Sequence, residues 1–234
     1  MIGIISGSNL LKEFDIFRDR QEITVINEFG RTELLVTDSV AFLPRHGYDP
    51  GNYILPHLIN HKANMKALQE LGIWEVIGIN STGSLKIELE PGKIVIPDDF
   101  IMLASYPSLL ANRPVHITPA LNAKMRGRLL EAARKAGIEV RDCGTYWQTT
   151  GPRLETRAEI RLMSQFADLV GMTMATEAIT AQEMGLSYAS ACSVDNYAHG
   201  LEGEKTITIE EISERARLGG ETLSRLIIGY LQDL

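Results

Sequence analysis

The chain has 234 residues, of which 44% are hydrophobic and 23% charged, and a formal net charge of −7. That length suits one large domain, and the negative charge argues against non-specific binding to nucleic acid. No apolar run approaches the roughly 18 residues of a membrane span, and no charged leader precedes the first predicted strand. Cys143 and Cys192 have no metal-binding spacing, so we expect a cytoplasmic protein in a reducing compartment.

The first predicted strand runs into a turn of small residues. Residues 2–5 are apolar, and Ser6, Gly7 and Ser8 follow them. Such a turn presents backbone N–H groups to an anion. Its spacing differs from the G-x-G-x-x-G of dinucleotide-binding folds, which disfavours that class.

Three further strands are predicted at residues 22–25, 33–37 and 40–43. The third leads directly into Arg45 and His46. An arginine fork suits an oxyanion and a histidine adds a second donor, so we expect Arg45 to be an exposed site residue.

The next helix is predicted to begin at Pro56 and to end before Gly72. His57 and His61 have the i, i+4 spacing of a metal pair, but no third ligand or HExxH pattern accompanies them. We therefore expect no metal site. A strand at residues 75–79 then ends in a polar turn at 80–85.

The middle of the chain alternates between strands and a helix. A Thr-Pro pair at Thr118 predicts a helix from there to residue 136. Residues 103–116 before it are irregular. The flanking strands are predicted at residues 93–96, 138–141 and 145–148.

Residues 149–159 carry the most specific local pattern. After a Gly-Pro turn, Thr156 and Glu159 form a T-x-x-E capping box, which starts a helix that ends near Phe166. Glu155 thus lies at a helix N-terminus, where unpaired N–H groups favour a carboxylate. We expect it to accept hydrogen bonds from the N–H edge of a ligand.

Two later strands are followed by polar residues. Residues 168–170 precede Met172 and Thr173, and residues 186–194 precede Asn196. Ligands of open α/β sheets collect at such strand ends. The alternation of strands and helices predicts an α/β protein, with one domain spanning residues 1–234 around a mixed sheet.

Four stretches resemble, in the same order, motifs of the trimeric purine nucleoside phosphorylases and methylthioadenosine phosphorylases. They are residues 3–8 (GIISGS), 45–47 (RHG), 151–159 (GPRLETRAE) and 171–177 (GMTMATE). The resemblance extends to about residue 226. It implies a twisted, partly barrel-like mixed sheet flanked by helices, and a homotrimer or hexamer that uses phosphate as co-substrate without a cofactor.

The resemblance also implies roles for individual residues. The phosphate ligands would be Ser8, Arg45, His46 and Ser81. Met172 and Thr173 would contact the sugar, while Glu155 and Asn196 would hold the base and act in catalysis. Leu154 stands beside the base where relatives often have Phe.

The identity of the base follows from hydrogen-bonding capacity. An ionised Glu155 only accepts hydrogen bonds, so it suits the N1–H of a 6-oxopurine. By resemblance the adenine-selective branch has Asp at the position of Asn196. An ungapped match from Asn196 places Ile209 beside the 5′ group, where an apolar side chain favours a methylthio substituent. The predicted reaction is phosphorolysis of 5′-methylthioinosine to hypoxanthine and 5-methylthioribose 1-phosphate.

Other readings stay open at the level of sequence. The enzyme could instead be a general inosine or guanosine phosphorylase, or a 5′-methylthioadenosine phosphorylase. Ile209 also fits the apolar core stripe of the last helix. A binding protein with the same fold and no turnover is the alternative from another functional class.

Overall fold

The computed structural model describes residues 1–7, 19–110, 113–201, 203 and 208–233, but not the side chains of Pro50 and residues 209–213. The strands among them are β1 Ile2–Ser6, β2 Gln21–Asn27, β3 Gly30–Val36, β4 Val40–Pro44, β5 Glu75–Ser84, β6 Ile94–Ile96, β7 Asp99–Met102, β8 Val140–Asp142, β9 Thr145–Gln148, β10 Leu169–Gly171 and β11 Ser187–Tyr197. The α-helices are α1 His61–Glu70, α2 Ala123–Lys135, α3 Arg157–Met163, α4 Met174–Glu183 and α5 Ile209–Gln232. None of these described helices is both long and apolar enough to cross a bilayer.

The sheet is organised around β5, which pairs with three other strands. One edge of β5 pairs with β1 in parallel and then with β10 in antiparallel, and the other edge pairs in parallel with β11. One path through the sheet runs β2-β3-β4-β1-β5-β10-β9-β7, and β11, β6 and β8 branch from β5. The predicted mixed sheet flanked by helices is confirmed, and among the described strands it does not close into a barrel.

Apolar side chains cover both faces of the sheet. Ile4 packs in the cluster that contains Leu129 of α2 and Leu226 of α5. Its neighbour Ile5 packs on the opposite side, in the cluster that contains Leu68 of α1. Successive residues of a strand point to opposite faces, so the apolar run of β1 serves two helical layers.

Two predicted helix starts are wrong. Pro56 begins only a 3₁₀ turn, Pro56–Leu58, and α1 is capped by Asn60, whose side chain accepts from the Ala63 N–H at 3.1 Å. Likewise Thr118 is not a cap, because α2 begins after Asn122. In both cases an Asn nearer the helix supplies the hydrogen bond that the Pro signal cannot.

Two strands also extend further than the sequence predicts. β5 continues to Ser84 and β11 to Tyr197, so Ser81 and Asn196 lie on strands rather than in turns. The two strands pair with each other throughout this region. β7, for which the sequence predicts no strand, pairs with β9. Long-range pairing supplies these extensions, which local composition does not reveal.

Candidate active site

A cavity of about 500 Å³ opens beside the carboxyl ends of β1, β4 and β10 and over the second halves of β5 and β11. Eight of the ten predicted site residues line it, namely Arg45, His46, Ser81, Leu154, Glu155, Met172, Thr173 and Asn196. The other two, Ser8 and the side chain of Ile209, lie outside the described part of the chain. The cavity thus joins motifs that are more than 100 residues apart in sequence.

Glu155 lies directly before the cap of α3, but its carboxylate does not serve the helix end. The capping box does so: the Thr156 N–H donates to Glu159 at 2.7 Å and the Glu159 N–H to Thr156 Oγ1 at 3.2 Å. Glu155 Oε1 instead accepts a hydrogen bond from the hydroxyl of Thr149 at 2.6 Å. Glu155 is buried within the cavity wall, and Oε2 is left to accept from a ligand.

A β-bulge places Asn196 in the cavity. The pairing of β11 with β5 shifts between Val194 and Asn196, which leaves Asp195 as the extra residue. The amide of Asn196 lies over Gly83, where a Cβ atom would stand 3.2 Å from Nδ2. Nδ2 donates one hydrogen bond to Tyr197 O at 2.8 Å. The second N–H of Nδ2 and the oxygen Oδ1 are therefore left to offer a ligand one donor and one acceptor.

Arg45 is buried, contrary to the expectation of an exposed residue. Its guanidinium donates to both carboxylate oxygens of Glu177, at 2.6 and 3.2 Å, and to the carbonyls of Ile79 and Ile5 at 2.7 and 2.9 Å. Four of the five N–H groups are thus engaged within the protein. Arg45 still lines the cavity, where one N–H and its charge are available.

Glu177 has a third donor in this buried network. The hydroxyl of Tyr188 donates to its Oε2 at 2.7 Å. Gly78 of β5 makes room for that hydroxyl, because a Cβ atom at position 78 would overlap it. Glu177 thus holds the buried donors of Arg45 and Tyr188 in place rather than facing a substrate.

His46 donates its ring proton to the protein backbone and not, as the sequence led us to expect, to a ligand. Its Nδ1 lies 2.7 Å from the carbonyl oxygen of Ile54, which only accepts, so Nδ1 carries the proton. Burial and then the neighbouring charge of Arg45 lower the pKa of His46 to about 4. The ring is therefore neutral at pH 7, and Nε2 is unprotonated.

The floor of the cavity is formed by Met172 and Thr173. The Thr173 hydroxyl accepts from Asn80 Nδ2 at 2.8 Å, and its N–H donates to the Tyr146 hydroxyl at 3.2 Å. Gly151 has a φ of +66°, and a Cβ there would stand 2.5 Å from the sulfur of Met172. Glycine is therefore required for the loop before Glu155 to pack on Met172.

Several cavity residues were not assigned a role from the sequence. Tyr53 stacks on His46 with ring centroids 4.5 Å apart. His199 follows the end of β11 and lies in the cavity wall. α5 contributes Ala216, Gly220 and Leu223. The small residues Ala216 and Gly220, four positions apart on one helix face, are the sequence signal for this close approach.

A family model described as the phosphorylase superfamily matches residues 1–232 of the chain. The chain belongs to that superfamily. The resemblance found in the four motifs is therefore confirmed over almost the whole length of this phosphorylase.

Curated relatives cover nearly the full phosphorylase chain. A probable 6-oxopurine nucleoside phosphorylase of Archaeoglobus fulgidus is 42% identical over 222 residues, which are 93% of this chain and 90% of the relative. A probable S-methyl-5′-thioinosine phosphorylase of Methanothermobacter thermautotrophicus is 38% identical over 242 residues, 100% and 84% of the two chains. An S-methyl-5′-thioadenosine phosphorylase of Pyrococcus furiosus is 35% identical over 237 residues, 97% and 90%.

Solved structures show the same fold. The methylthioadenosine phosphorylase of Schistosoma mansoni, in complex with adenine, superimposes with a TM-score of 0.82 at 26% identity. The match covers 99% of this phosphorylase and 90% of that chain. The α/β architecture predicted for the chain is thus the architecture of a known phosphorylase.

Proposed function

We propose that this phosphorylase cleaves 6-oxopurine nucleosides with phosphate and that 5′-methylthioinosine is its preferred substrate. The products would be hypoxanthine and 5-methylthioribose 1-phosphate. The observation that carries the proposal is the pairing of an acceptor-only carboxylate, Glu155, with the amide of Asn196 in one cavity. Relatives named for 6-oxopurine nucleosides and for methylthioinosine support it.

Base recognition depends on the hydrogen bond from Thr149. Because Oε1 of Glu155 already accepts from Thr149, Oε2 is free to accept from the N1–H of a 6-oxopurine. The free N–H of Asn196 would donate to the base as negative charge develops on it. Adenine presents an unprotonated N1, and two opposed acceptors make no hydrogen bond. The 6-aminopurine alternative is therefore disfavoured.

No protein nucleophile is needed for phosphorolysis. The cavity must hold phosphate near the anomeric carbon, and preorganised donors and positioning provide most of the rate enhancement in such sites. We assign phosphate to the end lined by Arg45, His46 and Ser81, with Ser8 as a further ligand. Met172 and Thr173 would lie beneath the sugar, and Leu154 beside the base. We propose no cofactor or metal.

The 5′ position separates the main proposal from a second candidate. An apolar Ile209 would favour a methylthio group, whereas His199 in the cavity wall offers a polar partner to a 5′-hydroxyl. His199 therefore favours a general inosine or guanosine phosphorylase as the second candidate.

A substrate panel tests both candidates. Hypoxanthine or adenine release would be measured from methylthioinosine, inosine, methylthioadenosine and adenosine, each with and without phosphate. Burial of a thiomethyl group is worth about 1–2 kcal/mol, so we expect kcat/KM for methylthioinosine to exceed that for inosine by roughly 5- to 30-fold. Equal or faster use of inosine would select the second candidate. Release without phosphate would mean a nucleosidase.

Two variants then locate the 5′ contact. Ile209→His should narrow or reverse the ratio of methylthioinosine to inosine turnover if Ile209 borders the 5′ group. His199→Phe should lower inosine turnover if His199 binds the 5′-hydroxyl. A ratio unchanged by Ile209→His and altered by His199→Phe would transfer the specificity role to His199.

The proposed enzyme is a cytoplasmic homotrimer or hexamer. The exposed apolar side chains of Ile54, Leu55 and Leu58 follow the cavity residue Tyr53 in sequence and support burial against another subunit. Light scattering coupled to size-exclusion chromatography would measure the assembly, and a monomeric mass would contradict this part of the proposal.

A further inference from the structure

Asp195 is a buried carboxylate that the proposed reaction does not use. It is fully buried as the extra residue of the bulge in β11. Neither carboxylate oxygen makes a hydrogen bond of good geometry among the described residues, although the hydroxyls of Ser81 and Ser193 lie near it. Glu177, the other fully buried acid described here, accepts hydrogen bonds from Arg45 and Tyr188. A buried charge without a well-formed hydrogen bond or a buried cation is costly, so Asp195 calls for an explanation.

Asp195 lies next to two hydroxyls of the cavity wall. Burial raises the pKa of Asp195 to about 6, and the nearby hydroxyls of Ser81 and Ser193 partly offset that rise. Both serines line the cavity. Ser81 is exposed to it, on the stretch of β5 proposed to hold phosphate.

The backbone of α5 closes the other side of Asp195. A Cβ at Gly219 would stand 2.8 Å from the Cβ of Ser193 and 3.4 Å from Asp195 Oδ1, so the helix approaches closely at this glycine. The titratable and charged groups near Asp195 among the described residues are Arg215 of α5 and the buried thiol of Cys192 on β11. Arg215 is exposed, where solvent screens its charge. No buried cation therefore compensates Asp195 in the described structure.

We propose that Asp195 takes up one proton from solvent when a dianion binds beside Ser81. This inference rests on the proposed phosphate site. Neutral Asp195 can donate to the oxygen of Ser81, which leaves the Ser81 hydroxyl hydrogen to donate to the anion. Ionised Asp195 would instead draw that hydrogen inward and repel the anion. Anion binding and protonation of Asp195 are thus coupled.

Sulfate is the probe, because it is a dianion that does not titrate near neutral pH and supports no turnover. Calorimetric titration of the whole protein with sulfate at pH 7, in two buffers of different ionisation enthalpy, measures the protons taken up on binding. We expect about one proton per sulfate, and an affinity that falls by up to about tenfold per pH unit above pH 6.5. Wild-type protein that binds sulfate without proton uptake overturns the proposal.

Two variants assign the proton, since His46 is the other neutral group at this end of the cavity. Asp195→Asn, an isosteric change that should keep the fold, is expected to bind sulfate with little proton uptake and less than a twofold change in affinity per pH unit. His46→Gln should keep the uptake. Uptake that persists in Asp195→Asn and disappears in His46→Gln would assign the proton to His46 and overturn the proposal.

Asp233→Asn is the matched control, because that aspartate lies at the protein surface in an ion pair with Lys135. It should behave as wild type. Thermal unfolding would confirm that each variant is folded before titration. If wild-type protein binds neither sulfate nor phosphate, the proposed phosphorylase site fails first. Sulfate binding without proton uptake would be compatible with the proposed phosphate site and would contradict only the role of Asp195.

Discussion

The two ends of the cavity are built in opposite ways. At the base end, Glu155 and Asn196 each hold one local hydrogen bond, to residues six and one positions away, and keep other groups for a ligand. At the phosphate end, Arg45 donates four N–H groups to partners up to 132 residues away in sequence. The base end therefore combines local support with free hydrogen-bonding capacity. The phosphate end is a structural junction that also borders the ligand.

Arg45→Ala should show the largest effect on stability, because it strips the buried Glu177 of its cation. Removing one partner of a buried ion pair typically costs about 3–5 kcal/mol, so urea unfolding should reveal a severely destabilised or unfolded protein. Arg217→Ala is the control, since its pairs with Glu214 and Glu221 are exposed to solvent and should leave the unfolding midpoint nearly unchanged. An unchanged unfolding midpoint in Arg45→Ala would contradict the structural role assigned to the phosphate end.

Glu155→Gln should damage activity without damaging the fold. Losing a preorganised interaction in such a site typically costs about 3–4 kcal/mol, so kcat/KM for 6-oxopurine nucleosides should fall by roughly two to three orders of magnitude. The nearby carboxylate of Glu159 caps a helix, and Glu159→Gln should lower the free energy of unfolding slightly while it leaves base selectivity unchanged. Inosine or methylthioinosine turnover that survives in Glu155→Gln would refute the base assignment.

The phosphate end should also set the acid stability of the protein. Burial, followed by the charges of Arg45 and His46, lowers the pKa of buried His61 to about 3. The unfolded chain binds that proton near pH 6.5 and the folded protein does not, so stability present above pH 6.5 is lost as the pH falls toward 3. Each pH unit costs about 1.4 kcal/mol, or about 2 kcal/mol between pH 6.5 and 5.

Urea unfolding of wild type and His61→Gln across that range isolates this contribution. The raised pKa of Asp195 acts in the opposite direction near pH 6, but it is common to both proteins and cancels in the difference. His57→Gln, at an exposed position in the adjacent 3₁₀ turn, serves as the control. Parallel curves for wild type and His61→Gln would contradict the prediction.

Thr149→Val should cost less activity than Glu155→Gln and should have the most specific effect. It removes the donor that orients Glu155, and a hydrogen bond to a charged group is worth about 1.5–3 kcal/mol. We expect kcat/KM for 6-oxopurines to fall by at least roughly tenfold, mainly through KM for the nucleoside and not for phosphate. Thr149→Ser keeps the hydroxyl and should stay within about twofold of wild type. Equal losses in both variants would point to packing by the methyl group instead.

The same contrast explains what sequence could predict. The capping box of Thr156 and Glu159 depends on residues three positions apart, and the structure confirms it. Most strands of the sheet were likewise recognised from short apolar runs. The pairing of Arg45 with Glu177 joins residues far apart in sequence, and no local pattern announces it. The prediction therefore identified Arg45 as a cavity residue but was wrong about its exposure.

The helix starts and the bulge show two further limits. Both Thr118 and Asn122 are reasonable caps for the same apolar stripe, and only tertiary packing selects Asn122. The bulge at Asp195 exists because β11 has one more residue than β5 in this part of the pairing. The sequence of either strand alone does not specify that register. Its consequence, a buried acid behind the cavity wall, was invisible in the sequence.

The space that Gly78 leaves for the hydroxyl of Tyr188 has an evolutionary consequence. A side chain at position 78 would displace Tyr188, and loss of Tyr188 or Arg45 would leave Glu177 short of donors. Single substitutions at positions 45, 78, 177 and 188 would thus be selected against, while coordinated changes at several of them would be tolerated. Across diverged phosphorylases, these positions should covary as a group, and a lineage that has exchanged all four would hold its anion with a differently constructed site.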